Sequence, residues 1–156
     1  MNFKEYSQPH LLERYSFLWS EARLIVAAIA LFLGGVPVLR ALVPVPALSG
    51  IVGLVLTLAW IISGAASVYL LYRWNSNQKM LFGGKAPLDT AAFFVSVVSG
   101  INLGLTGLLG TNIGMSIISN YVVFVIVALI YLATTVYLYR RWNASGQKIF
   151  GSAAQK

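Results

Sequence analysis

The side chains that carry acid–base, nucleophilic or metal chemistry are few in this chain. His10 is the single histidine, cysteine is absent, and the four carboxylates are Glu5, Glu13, Glu21 and Asp89. Metal binding needs three or four converging ligands, and a nucleophile needs a base beside it. Three of the carboxylates fall in the first 21 residues and the fourth stands alone far downstream, so neither arrangement is expected. Glycine-rich phosphate loops of the P-loop or dinucleotide type are also absent. The chain reads as non-catalytic, with no catalytic, cofactor-binding or metal residues and no cofactor.

A second kind of chemistry is written twice. RWNSNQKMLFG runs from Arg73 to Gly83 and RWNASGQKIFG from Arg141 to Gly151, 68 positions apart and without a gap. Arg, Trp, Asn, Phe and Gly are identical, and Leu81 stands against Ile149. Arginine can reach an anionic headgroup, and aromatic rings favour the membrane interface. Arg73, Trp74, Phe82, Arg141, Trp142 and Phe150 are therefore candidates for interfacial anchoring or for docking a partner. Asn75 and Asn143 fall where a helix end tolerates the left-handed conformation.

The elements that position these cassettes follow from composition. Apolar residues make up 58% of the chain and charged residues 10%, against about 25% charged in soluble domains. Crossing the hydrocarbon of a bilayer takes about 20 apolar residues, and four runs are long enough: about Ala22 to Val43, Leu48 to Tyr72, Leu88 to Leu109, and Ile117 to Tyr139. In lipid the backbone must satisfy its own hydrogen bonds, and alternating barrel patterning is absent, so each run is expected to be a helix. No ionisable residue falls in the middle of a run as bounded here, so ion-coupled transport, which uses such residues, is not expected.

The first run reads as a retained anchor and not as a signal peptide, because it is too long for a signal core and acidic residues precede it. Ahead of it, Leu11, Leu12, Tyr15, Leu18 and Trp19 gather on one helical face, and Glu13, Arg14, Ser16, Ser20 and Glu21 on the other. That pattern predicts an amphipathic helix lying in the interface. The resulting fold class is an all-α integral membrane protein of four transmembrane helices, arranged as two tandem hairpins after an interfacial helix. Residues 1–21 form the leader, 22–84 the first hairpin with its cassette, and 85–156 the second with its cassette and tail.

The net charge of +7 is spread over segment ends and forms no basic block, which favours a bilayer over nucleic acid as partner. Lys4, Arg14, Arg23, Arg73, Lys79, Lys85, Arg140, Arg141, Lys148 and Lys156 fall on one side of the spans and Arg40 on the other. By the positive-inside rule both termini are expected to face the cytoplasm from the cell membrane.

The third span has the clearest packing pattern. Ser96, Gly100, Gly104 and Gly107 form a small-residue stripe that lets helix backbones approach, and Asn102 at that depth needs a hydrogen-bond partner. The expected function is a scaffold, assembly or accessory subunit acting through this stripe and the cassettes, as a homo-oligomer or with another membrane protein. The alternative is an oligomeric passive channel or transporter of a small uncharged solute.

Overall fold

The structure, a computed structural model, describes residues 8–117 and 119–150. Among them the chain is helical, with one isolated bridge between Leu81 and Gly84 and no strands. Four long helices, α1 (Pro9–Phe32), α3 (Ser49–Ser76), α4 (Pro87–Leu109) and α6 (Tyr121–Ala144), alternate with short ones, α2 (Val38–Leu42), a 3-10 turn (Pro46–Leu48) and α5 (Ile113–Ile117). The four long segments are long and apolar enough to cross a membrane.

Local sequence sets the helix ends. Proline stands at the start of α1 and of α4, where its missing N–H costs nothing. Gly34 and Gly35 follow α1 with φ of +73° and +88°, and Pro37 keeps the helix from resuming directly. Gly110 closes α4 in the left-handed conformation, and the Asn120 side chain caps α6 by accepting from Val122 N at 2.9 Å. α3 and α6 run on to Ser76 and Ala144, so Asn75 and Asn143 are helical and Asn77 and Ser145 take the C-cap positions expected of them.

The leader is not a separate interfacial helix. It is continuous with the first span in α1, so the boundary drawn between residues 21 and 22 falls inside one helix. The orientation is also opposite to an amphipathic surface helix. Glu13, Ser16, Ser20 and Glu21 are buried, while Leu12 and Tyr15 face outward. The reason is that other helices supply polar partners for the inward face, and an apolar outward face suits a helix that enters the apolar layer.

The most extensive helix contacts are α3 with α4, followed by α1 with α6. These are not the pairs adjacent in sequence within two hairpins. In the α3–α4 contact a Cβ on Gly104 would lie 2.6 Å from the Gly64 Cα, and one on Gly64 would lie 2.7 Å from the Gly104 Cα. The two backbones touch. Gly100 packs on Ser67 and Gly107 on Ile61 in the same seam.

Candidate functional site: a buried arginine at the end of an interhelical cavity

Arg23 sits near the middle of α1, and the side chain is 7% exposed. Its Nη1 donates to Ser99 Oγ at 2.9 Å and its Nη2 to the Ser96 carbonyl at 2.8 Å, both on α4. The Nε–H has no partner among the described residues. The approach depends on Gly100, whose missing side chain leaves room for the guanidinium carbon 3.2 Å from where a Cβ would be. Glu21, 4% exposed, lies two residues away. Ser96 Oγ is 3.5 Å from Glu21 Oε1, and Oε2 has no partner among the described residues. Arg23 and Glu21 thus share Ser96 but do not form an ion pair; among the described residues the ion pairs are Arg73–Glu13 and Arg141–Asp89.

Above Arg23, away from the cassettes, the helices separate around a cavity of about 570 Å3. Small-molecule sites occupy roughly 300–1,000 Å3. All four long helices line it, with Trp19, Ala27, Trp60, Leu103, Phe124 and Tyr131 giving an apolar and aromatic wall. Ser63, Ser99, Asn102 and Asn112 add neutral polar groups, and Arg23 is the one charged lining residue among the described residues. Trp19 Nε1 donates to Ser63 Oγ at 3.0 Å, which fixes the indole against α3. The cavity extends to the loops at the end opposite the cassettes, where Gly35, Pro37, Gly114 and Met115 line it.

Asn102 does have its partner. Its Nδ2 donates to Asn112 Oδ1 at 2.9 Å and its Oδ1 accepts from Gly114 N at 3.3 Å, which ties the loop after α4 back onto that helix. Ser96, Gly100, Gly104 and Gly107 face other helices of the same chain.

The two cassettes come together at the other end. Phe82 N donates to Ile149 O at 2.8 Å, and the Arg141 guanidinium lies over the Phe82 ring at 5.6 Å. Trp142 stacks on Phe17 with centroids 5.5 Å apart, Trp74 on Phe93 at 6.1 Å, and Phe150 meets Phe93 edge-on at 6.3 Å. Trp142 and Phe150 are buried in this cluster, with Leu70, Leu81, Val97 and Leu138. Arg141 grips Asp89 with Nε at 2.8 Å and Nη2 at 2.7 Å, while Tyr137 donates to the same carboxylate at 2.6 Å. Arg73 binds Glu13. The cassette residues thus close the bundle beneath the cavity. The end of the second copy, Gly151, and the terminal Lys4, Glu5 and Lys156 lie outside the described residues.

Sequence reasoning missed Glu21 and Arg23 because it began the first span at Ala22, which left Glu21 in the leader and Arg23 at the cytoplasmic edge of the span. A signal for the correct depth exists. Glu13 and Asp89, Phe17 and Phe93, Ser20 and Ser96 each stand 76 positions apart, and their helices carry equivalent contacts: the acid binds a cassette arginine and the phenylalanine meets a cassette tryptophan. The cassettes are 68 apart, so the alignment is broken by the longer link between α1 and α3. At this offset Glu21 and Arg23 correspond to Val97 and Ser99, well inside a span.

The class defined by these features is an all-helical protein with four helices able to span a membrane and a cavity between them that ends at a buried arginine. No protein-family model, curated protein or solved structure matches the chain.

Proposed function

We propose that this is a non-catalytic, multi-pass protein of the cell membrane that binds a small solute in the interhelical cavity and serves its passage. Its termini are cytoplasmic in this reading, which places the loop end of the cavity outside and the cassette cluster inside. The observation that carries the proposal is the cavity itself. A bundle whose α3–α4 seam is closed to backbone contact at Gly64 and Gly104 holds about 570 Å3 of space lined by all four long helices. Because the packed cluster closes the other end, passage requires a rearrangement, as in a carrier and unlike an open pore.

We further read the chain as two tandem hairpins of common origin. Support comes from the cassettes 68 positions apart and from the contacts that Glu13 and Phe17 share in kind with Asp89 and Phe93. A scaffold would have to use surfaces other than the third-span stripe and the buried Trp142 and Phe150, since those residues are engaged within the chain. The homo-oligomeric state belongs to the same open reading.

The test is uptake of radiolabelled solutes, neutral and anionic, into liposomes that contain the purified protein. The wild type is expected to exceed protein-free vesicles for a subset of solutes, and Ala27→Trp, which fills the cavity, is expected to abolish the excess. Uptake equal to that of empty vesicles for every solute overturns the proposal.

A further inference from the structure

We infer that the solute is a small organic monoanion, a carboxylate on an apolar body, with Arg23 as its counter-charge; this rests on the solute-binding reading above and names its ligand class. Three observations converge. Arg23 is more than nine-tenths buried, lines the cavity, and has an Nε–H without an acceptor among the described residues. Its two hydrogen bonds go to neutral oxygens of Ser99 and Ser96. A guanidinium has five donors in a planar fork, so after those two bonds it retains donors suited to a planar oxyanion.

The second observation is what the packing does not require. α4 repeats the contacts of α1 at Glu13 and Phe17 through Asp89 and Phe93, yet has Val97 and Ser99 where α1 has Glu21 and Arg23. A helix can occupy this kind of position without ionised groups, and burying charge is unfavourable unless it is paired. The structure retains a guanidinium here and gives it no ion pair among the described residues. Glu21 meets Ser96 Oγ at 3.5 Å and does not occupy the fork.

The third observation is the wall. Apart from Arg23 its polar groups are neutral, and Trp19, Trp60, Phe124 and Leu103 present apolar surface. Such a wall suits an apolar body carrying one negative charge, and disfavours sugars, dications and polyphosphates. Small anionic carboxylates with aromatic or medium-length aliphatic bodies fit both the charge and the wall.

The experiment is titration of the purified full chain, in nanodiscs of zwitterionic lipid, with 1-naphthoate and with its neutral amide 1-naphthamide. Tryptophan fluorescence is the readout, since Trp19 and Trp60 line the cavity. Saturable quenching by naphthoate is expected, competed by octanoate, with naphthamide at least tenfold weaker. Arg23→Gln should weaken naphthoate at least tenfold and leave naphthamide unchanged. Arg23→Lys, which keeps the charge and loses the fork, should fall between and decides the matter if the glutamine variant does not elute as a folded species. Equal binding of naphthoate and naphthamide, both blocked by Ala27→Trp, overturns the anion inference while the solute-binding reading stands. Absence of saturable quenching by either probe overturns both. Nanodiscs containing phosphatidylglycerol form a further arm: unchanged naphthoate affinity is expected, and loss of binding there would assign Arg23 to a lipid headgroup and overturn a free solute.

Discussion

Asp89 shows how one residue can hold two helices together. The carboxylate is fully buried and is held by Tyr137 and by both ends of the Arg141 fork. Two-point binding by arginine is stronger and more directional than a single ionic contact. Removing the arginine strands a buried charge, and the loss of hydrogen bonds to an ionised group costs about 1.5–3 kcal/mol. Arg141→Ala is therefore expected to lower stability by about 2–3 kcal/mol. Arg73→Ala should lower it less, because Arg73 reaches one oxygen of Glu13 whereas Arg141 takes both oxygens of the fully buried Asp89. Thermal unfolding of the two variants in one detergent checks the order; a larger loss for Arg73→Ala would contradict it.

At the scale of elements, the seam between α3 and α4 depends on the absence of side chains. A methyl group at Gly64 or Gly104 would meet backbone and not a flexible side chain, so relief requires the helices to move apart. Forcing extra volume into a packed contact costs about 1–3 kcal/mol. Gly104→Ala is expected to fall in that range, and Gly104→Leu to exceed it. Leu108→Ala, on the same helix at a side chain 69% exposed, should change detergent stability by less than about 0.5 kcal/mol, as surface substitutions do. Melting temperatures of the three variants measure the difference, and indistinguishable values for Gly104→Leu and Leu108→Ala would remove the close-contact argument. The stripe was legible in sequence because small residues recur at helical spacing. That its partner is α3 of the same chain was not, since the stripe alone gives no partner.

For the whole molecule, orientation is the property that charge and architecture constrain together. Arg73 and Arg141 lie at the same end of the bundle, joined through the two cassettes, and the loop residues around Ser49 and Thr111 lie at the other. Cysteine is absent, so single cysteines report cleanly. With cytoplasmic termini, Ser76→Cys and Ala144→Cys should be protected from an impermeant thiol reagent in intact cells and become reactive after permeabilisation. Ser49→Cys and Thr111→Cys should react from outside. Labelling of Ser76→Cys in intact cells reverses the assignment, and with it the side from which the cavity is reached.

The sequence by itself determined the number of helices long and apolar enough to span a membrane, their approximate limits after the first, and the identity of the two cassettes at a fixed offset. These are local or one-dimensional properties: apolar run length, proline and glycine at helix ends, and identity at a fixed offset. It also fixed that Asn102 needs a partner, because an isolated carboxamide in an apolar layer is costly whatever surrounds it. Only the tertiary structure decided where α1 begins, since Glu13, Ser16, Ser20 and Glu21 read as a solvated face until Arg73 and Ser96 are seen opposite them. The same holds for the cassettes, whose tryptophans suit an interface equally well by composition but stack on Phe17 and Phe93 inside the bundle. The cavity and its arginine were the least legible of all. Empty space is a property of how helices fail to touch, and four segments far apart in the chain must be placed before it exists.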